Sequence, residues 1–111
     1  MRQYKPRRQS KRWLDEDCPN GVLAIYDDHN FADRYTVFYK EPISGSTYQD
    51  MWIGYRSMSE NPFHPCGVGL YCEMLAYQVA SYRYSARHKA AKWSSLPEKV
   101  KQCVIQDLKE A

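Results

Sequence analysis

Arg34-Tyr35-Thr36-Val37-Phe38-Tyr39-Lys40 is the stretch on which the fold turns. It is dense in β-branched and aromatic residues, which suit the pleated, half-buried surface of a strand. Side chains alternate along a strand, so Tyr35, Val37 and Tyr39 share one face, with Thr36 and Phe38 on the other. Pro42 ends the run, because it has no N–H to give to a ladder. Upstream, Val22-Leu23-Ala24-Ile25-Tyr26 is a short apolar run entered through the turn signal Cys18-Pro19-Asn20-Gly21. The polar loop Asp27-Asp28-His29-Asn30 separates the two runs, which are close enough to pair as an antiparallel hairpin. Downstream, a loop over residues 43–50 leads to Met51-Trp52-Ile53-Gly54-Tyr55, a third strand. Gly54 inside it marks a bulge or a close backbone approach.

Two helical segments supply the cover that such a sheet needs. Over residues 70–88, Tyr71, Leu75, Val79, Tyr82 and Ala86 recur at three- and four-residue spacing, the helix period. Arg83 and Arg87 would form a cationic row beside that stripe. Ser95-Leu96-Pro97-Glu98 then reads as a helix start, with Ser95 as N-cap, Pro97 in the first turn and an acid three residues on. That helix runs to about Lys109 and buries Val100, Cys103, Val104 and Leu108. The fold expected is α+β: a small antiparallel sheet of about three strands covered by two helices. Residues 18–111 form the single domain and residues 1–17 a disordered basic arm.

The 111 residues are 43% hydrophobic and 26% charged, a globular composition. Charge is unevenly spread: Arg2, Lys5, Arg7, Arg8, Lys11 and Arg12 are six cations with no acid among the first twelve residues. The rest of the chain holds ten cations against thirteen acids, so the overall +3 gives way to −3. Such an arm contacts polyanions non-specifically or serves as a solubilising tail. Nucleic-acid contact is assigned to Arg7, Arg8, Lys11 and Arg12, where each neutralised phosphate steepens the salt dependence. No apolar run approaches the ~20 residues of a membrane-spanning helix. The N-terminus also lacks the apolar segment of a secretory signal, so the expected location is cytoplasmic. There Cys18, Cys66, Cys72 and Cys103 are free thiols; the alternative is two disulfides.

The stretch richest in chemistry is Ser57-Met58-Ser59-Glu60-Asn61-Pro62-Phe63-His64-Pro65-Cys66-Gly67-Val68-Gly69. Its prolines and glycines fix an irregular backbone, and such loops carry function. In one reading, Gly67-Val68-Gly69 before a helix aims backbone N–H groups at an anion. Arg34, Arg56 or Arg83 would add charge-assisted contacts to a phosphate. In a second, His64, Cys66, Cys72 and Cys18 ligate a metal, although the close Cys pairs favoured by zinc are missing. In a third, Cys66 is a nucleophile with His64 or His29 as its base. A purely structural loop covering the sheet is the remaining alternative.

Asp33-Arg34-Tyr35-Thr36, the Ser-x-x-Pro-x-His-Pro-x-Gly core of that loop, and Leu96-Pro97 followed by residues 104–108 resemble a family of small uncharacterised proteins of bacteriophages, prophages and other mobile elements. Residues 70–88 depart from the polar, glycine-containing stretch expected there, and Cys66 replaces a polar residue. The resemblance implies an accessory protein without assigning an activity. The expectation is a non-enzymatic protein that binds a phosphate-bearing ligand, nucleotide or nucleic acid, and antagonises a host defence system. Its site residues are Asp33, Arg34, Arg56, Ser59, His64 and Gly67, with no cofactor, metal or catalytic residue assigned. The rival readings are a protein–protein inhibitor binding a host protein through Tyr77, Tyr82 and Tyr84, and a small enzyme using His64 and Cys66.

Overall fold

The computed structural model describes residues 7–29, 33–41, 52–82 and 89–110. The three expected strands form, as β1 (Val22–Asp27), β2 (Tyr35–Tyr39) and β3 (Trp52–Met58). Two more join them, β4 (Gly69–Leu75) and the two-residue β5 (Lys89–Ala90), giving a five-stranded antiparallel sheet in the order β4-β3-β2-β1-β5. The expectation of about three strands is therefore corrected to five. β1 and β2 form the expected hairpin, with Asp27 opposite Tyr35 and Ile25 opposite Val37. A bulge between Val22 and Ala24 places Leu23 and Ala24 in the same cluster, so β1 feeds both faces of the sheet.

The main departure lies in residues 70–75, expected as helix and found as strand. β3 and β4 pair in continuous register from Met58 opposite Gly69 to Trp52 opposite Leu75. Helix begins only at α1 (Ala76–Tyr82); residues 83–88, with Arg83, Tyr84 and Arg87, lie outside the described residues. Gly54 is the close approach that its position suggested. A Cβ there would overlap the Tyr71 hydroxyl, since the Tyr71 ring lies over the glycine from the neighbouring strand.

Both faces of the sheet are buried, by different elements. Tyr35, Val37 and Tyr39 meet Val100, Cys103 and Val104 of α2 (Glu98–Glu110), together with Trp93 and Leu96. Phe38, Tyr26, Ile53 and Leu23 meet Ala76 and Val79 of α1. On that side Phe38 stands edge-on to Tyr26 and Tyr82, at 5.8 and 5.1 Å between ring centres, the geometry that aromatic quadrupoles favour. The N-cap expected at Ser95 does not form. A 3₁₀ turn (Trp93–Ser95) precedes α2, and the Ser95 hydroxyl donates back to the Lys92 carbonyl at 2.8 Å.

The basic arm is also corrected, for residues 7–17. Leu14 is 2% exposed and belongs to the α2-side core. The Gln9 N–H donates to the Leu23 carbonyl at 3.0 Å, and its side-chain amide pairs with both the N–H and the C=O of Ile25. The amide thus acts as a strand partner beside β5 on the outer edge of β1. Trp13 follows, its carbonyl accepting the Trp93 N–H at 2.9 Å. Apolar anchors and a peptide-like amide outweigh the charge that favoured disorder. No helix among the described residues is long and apolar enough to cross a membrane.

Candidate functional site

The turn joining β3 to β4 closes on itself. Ser59 and Val68 pair through N–H to carbonyl at 2.9 Å, and the Ser59 Oγ accepts the Val68 N–H at 3.0 Å. The Gly67 N–H donates to the His64 carbonyl (2.8 Å), the Cys66 N–H to His64 Nδ1 (3.0 Å) and the Phe63 N–H to Asn61 Oδ1 (3.1 Å). Gly67 is required by crowding: a Cβ would run into the Asn61 carbonyl and close on that of His64. The donors expected to face an anion are thus used within the turn. Gly69 opens a strand, so the helix dipole invoked for the site is absent there; this corrects the helix-start geometry.

The two arginines expected to hold an anion, Arg34 and Arg56, are committed to carboxylates of different elements. Arg34 grips Asp27 with Nε and Nη2, both at 3.2 Å, and reaches Glu60 with Nη1 at 2.6 Å. It ties the end of β1 to the β3–β4 turn. Burial pushes the Asp27 carboxyl up, but Arg34 and the His29 N–H outweigh it and hold the group below its ordinary range. Arg56 reaches α2 instead. It clamps Asp107 with Nε (2.9 Å) and Nη2, donates from Nη1 to the Gly69 carbonyl (3.1 Å), and lies over the Tyr71 ring. Tyr39 donates to the same carboxylate at 2.6 Å, and burial together with that bond raises its hydroxyl pKa far above the usual value. Asp33 is exposed. Of the six expected site residues, Arg34 and Arg56 are thus engaged by carboxylates of different elements, while Ser59, His64 and Gly67 lie together in the turn.

The described residues assemble a cleft elsewhere. The docked arm and the outer edge of β1 enclose an open space of about 470 Å³, walled by Arg7, Arg8, Gln9, Ser10 and Trp13. Tyr26 and Ala90 form the side contributed by the sheet. No acid lines it. Arg8 is held by the Val22 carbonyl (2.8 Å) and the Pro19 carbonyl (3.2 Å), contacts that fix the guanidinium without neutralising its charge. Lys11 and Arg12 are exposed alongside, and Arg12 sits 5.0 Å from the centre of the Trp13 ring. Arg7, Arg8, Lys11 and Arg12 were legible as cations in the sequence. Gln9, Trp13, Tyr26 and Ala90 were missed, because only the docking of the arm brings them together.

His64 and Cys66 lie exposed in the β3–β4 turn, where the ring accepts the Cys66 backbone N–H. All four cysteines are free. Burial pushes the Cys18 thiol up to about 11, away from the thiolate that ligation or nucleophilic attack requires. No group of three or more His, Cys, Asp or Glu among the described residues could hold a metal. Of the tyrosines assigned to an aromatic docking face, Tyr77 is exposed, and Tyr82 is half-buried and donates to Asp28 at 2.8 Å. Tyr84 lies outside the described residues. No protein-family model, curated protein sequence or solved structure matches this chain.

Proposed function

We propose that this chain is a non-enzymatic binding protein for a phosphate-bearing polymer, nucleic acid, held on the basic surface of residues 7–12. One observation carries the reading: Arg7 and Arg8 line an open cleft with no acid among the described residues of its walls, and the exposed Lys11 and Arg12 follow directly in the chain. Pinning matters energetically. A disordered arm loses conformational entropy when it binds, whereas Arg8 is already immobilised by two carbonyls. The net −3 of the remainder repels polyanions, so attraction comes from this local surface. Beside the resemblance to small phage and mobile-element proteins, such binding fits an accessory protein that antagonises a host system.

The test is fluorescence anisotropy with a labelled oligonucleotide at increasing salt. Binding should weaken linearly on a log–log scale, with a slope of roughly −0.7 per phosphate contacted on a single strand. Replacing Arg7, Lys11 and Arg12 together by Glu should abolish it. Full binding by that triple variant would remove the arm from the site.

A further inference from the structure

We infer that the cleft receives one unstacked nucleobase of a single strand, while Lys11 and Arg12, with Arg7 at the rim, hold the flanking phosphates. The inference rests on the nucleic-acid reading above and adds where the base goes. Three features support it together. The cleft's 470 Å³ lies within the range of small-molecule sites, which accommodates one base and its sugar. A duplex keeps its bases stacked inside and has none to offer without unpairing.

Planar and apolar walls are the second feature. The Arg8 guanidinium is a flat cation fixed by two backbone carbonyls, and guanidinium planes and aromatic rings are the platforms on which splayed bases stack. Trp13, Tyr26 and Ala90 line the cleft as well. The third feature is position. Lys11 and Arg12 are exposed and follow Ser10 of the wall directly in the chain, and Arg7 lines the cleft, so cations are at hand for the phosphates of a bound strand. Stacking with flanking charge reads no base edge, so the site should tolerate sequence and discriminate strandedness.

The test compares a short labelled oligothymidylate with an abasic strand of equal length, a duplex of equal length, and free thymidine monophosphate, all at one salt concentration. The base-bearing strand should bind at least about fivefold tighter than the abasic one, since stacking one base is worth about 1–3 kcal/mol. Ala90→Leu, which narrows the cleft, should erase that difference. The wild-type comparison stands even if the variant folds poorly. Equal binding of base-bearing and abasic strands would overturn the base pocket and leave polyanion binding intact. Equal or tighter binding of the duplex overturns it also. If the free nucleotide binds as tightly as the strand, the cleft serves a small nucleotide and the strand assignment fails. No binding of any probe would overturn the parent reading with it.

Discussion

Asp107 shows how one side chain can redirect the reading of another. It lies on the buried stripe of α2, beyond Val100, Cys103 and Val104 at helical spacing, and is 4% exposed. A carboxylate there needs compensation, and Arg56 and Tyr39 supply it from the sheet. Asp107→Ala leaves the Arg56 charge half-buried without its partner and should cost about 3–5 kcal/mol in urea unfolding. The paired change Arg56→Met with Asp107→Leu should recover much of that loss; a loss equal to the single change would mean that the ion pair is not the issue. A second prediction concerns acid. The folded pKa of Asp27 is depressed, so its contribution to stability is present above the unfolded value of about 3.9 and is lost as pH falls through the lower folded value. Arg34→Ala should flatten that acid limb of the unfolding midpoint against pH, and an unaltered limb would remove Arg34 from the effect.

Among the elements, the docked arm contributes to the core. Leu14 fills the α2-side core, so Leu14→Ala should destabilise the protein by about 2–5 kcal/mol, measured by thermal or urea unfolding. An arm lying free in solvent would give no change. The same scale shows what could be read in advance. The two faces of β2 and the buried stripe of α2 were legible, because β-branched alternation and a 3.6-residue period are local signals. β4 was not. Leu70-Tyr71-Cys72-Glu73-Met74-Leu75 has no β-branched residue, and its Tyr71–Leu75 spacing continues into the true stripe of α1. Pairing with β3 decides its conformation, which is a non-local fact. The arm failed for a related reason. Its charge density argues for disorder, while Gln9, Trp13 and Leu14 have no local period to announce the docking. For the candidate site, the cations were visible, and the partners that occupy Arg34 and Arg56 were not.

At the scale of the whole molecule, charge is segregated and then brought back. Residues 7–12 dock onto a body of net −3, where Arg7 and Arg8 line a cleft and Lys11 and Arg12 are exposed. The β3–β4 turn, richest in reactive residue types, spends its polar groups on its own closure. The binding we propose therefore lies on the arm side of the sheet, away from the turn. The most direct measurement is a ¹H–¹⁵N chemical-shift titration of the full chain with a short oligothymidylate. The account predicts that shifts concentrate at Arg7 to Trp13, Tyr26 and Ala90. Shifts confined to the Ser59–Gly67 turn, or none at all, would contradict it.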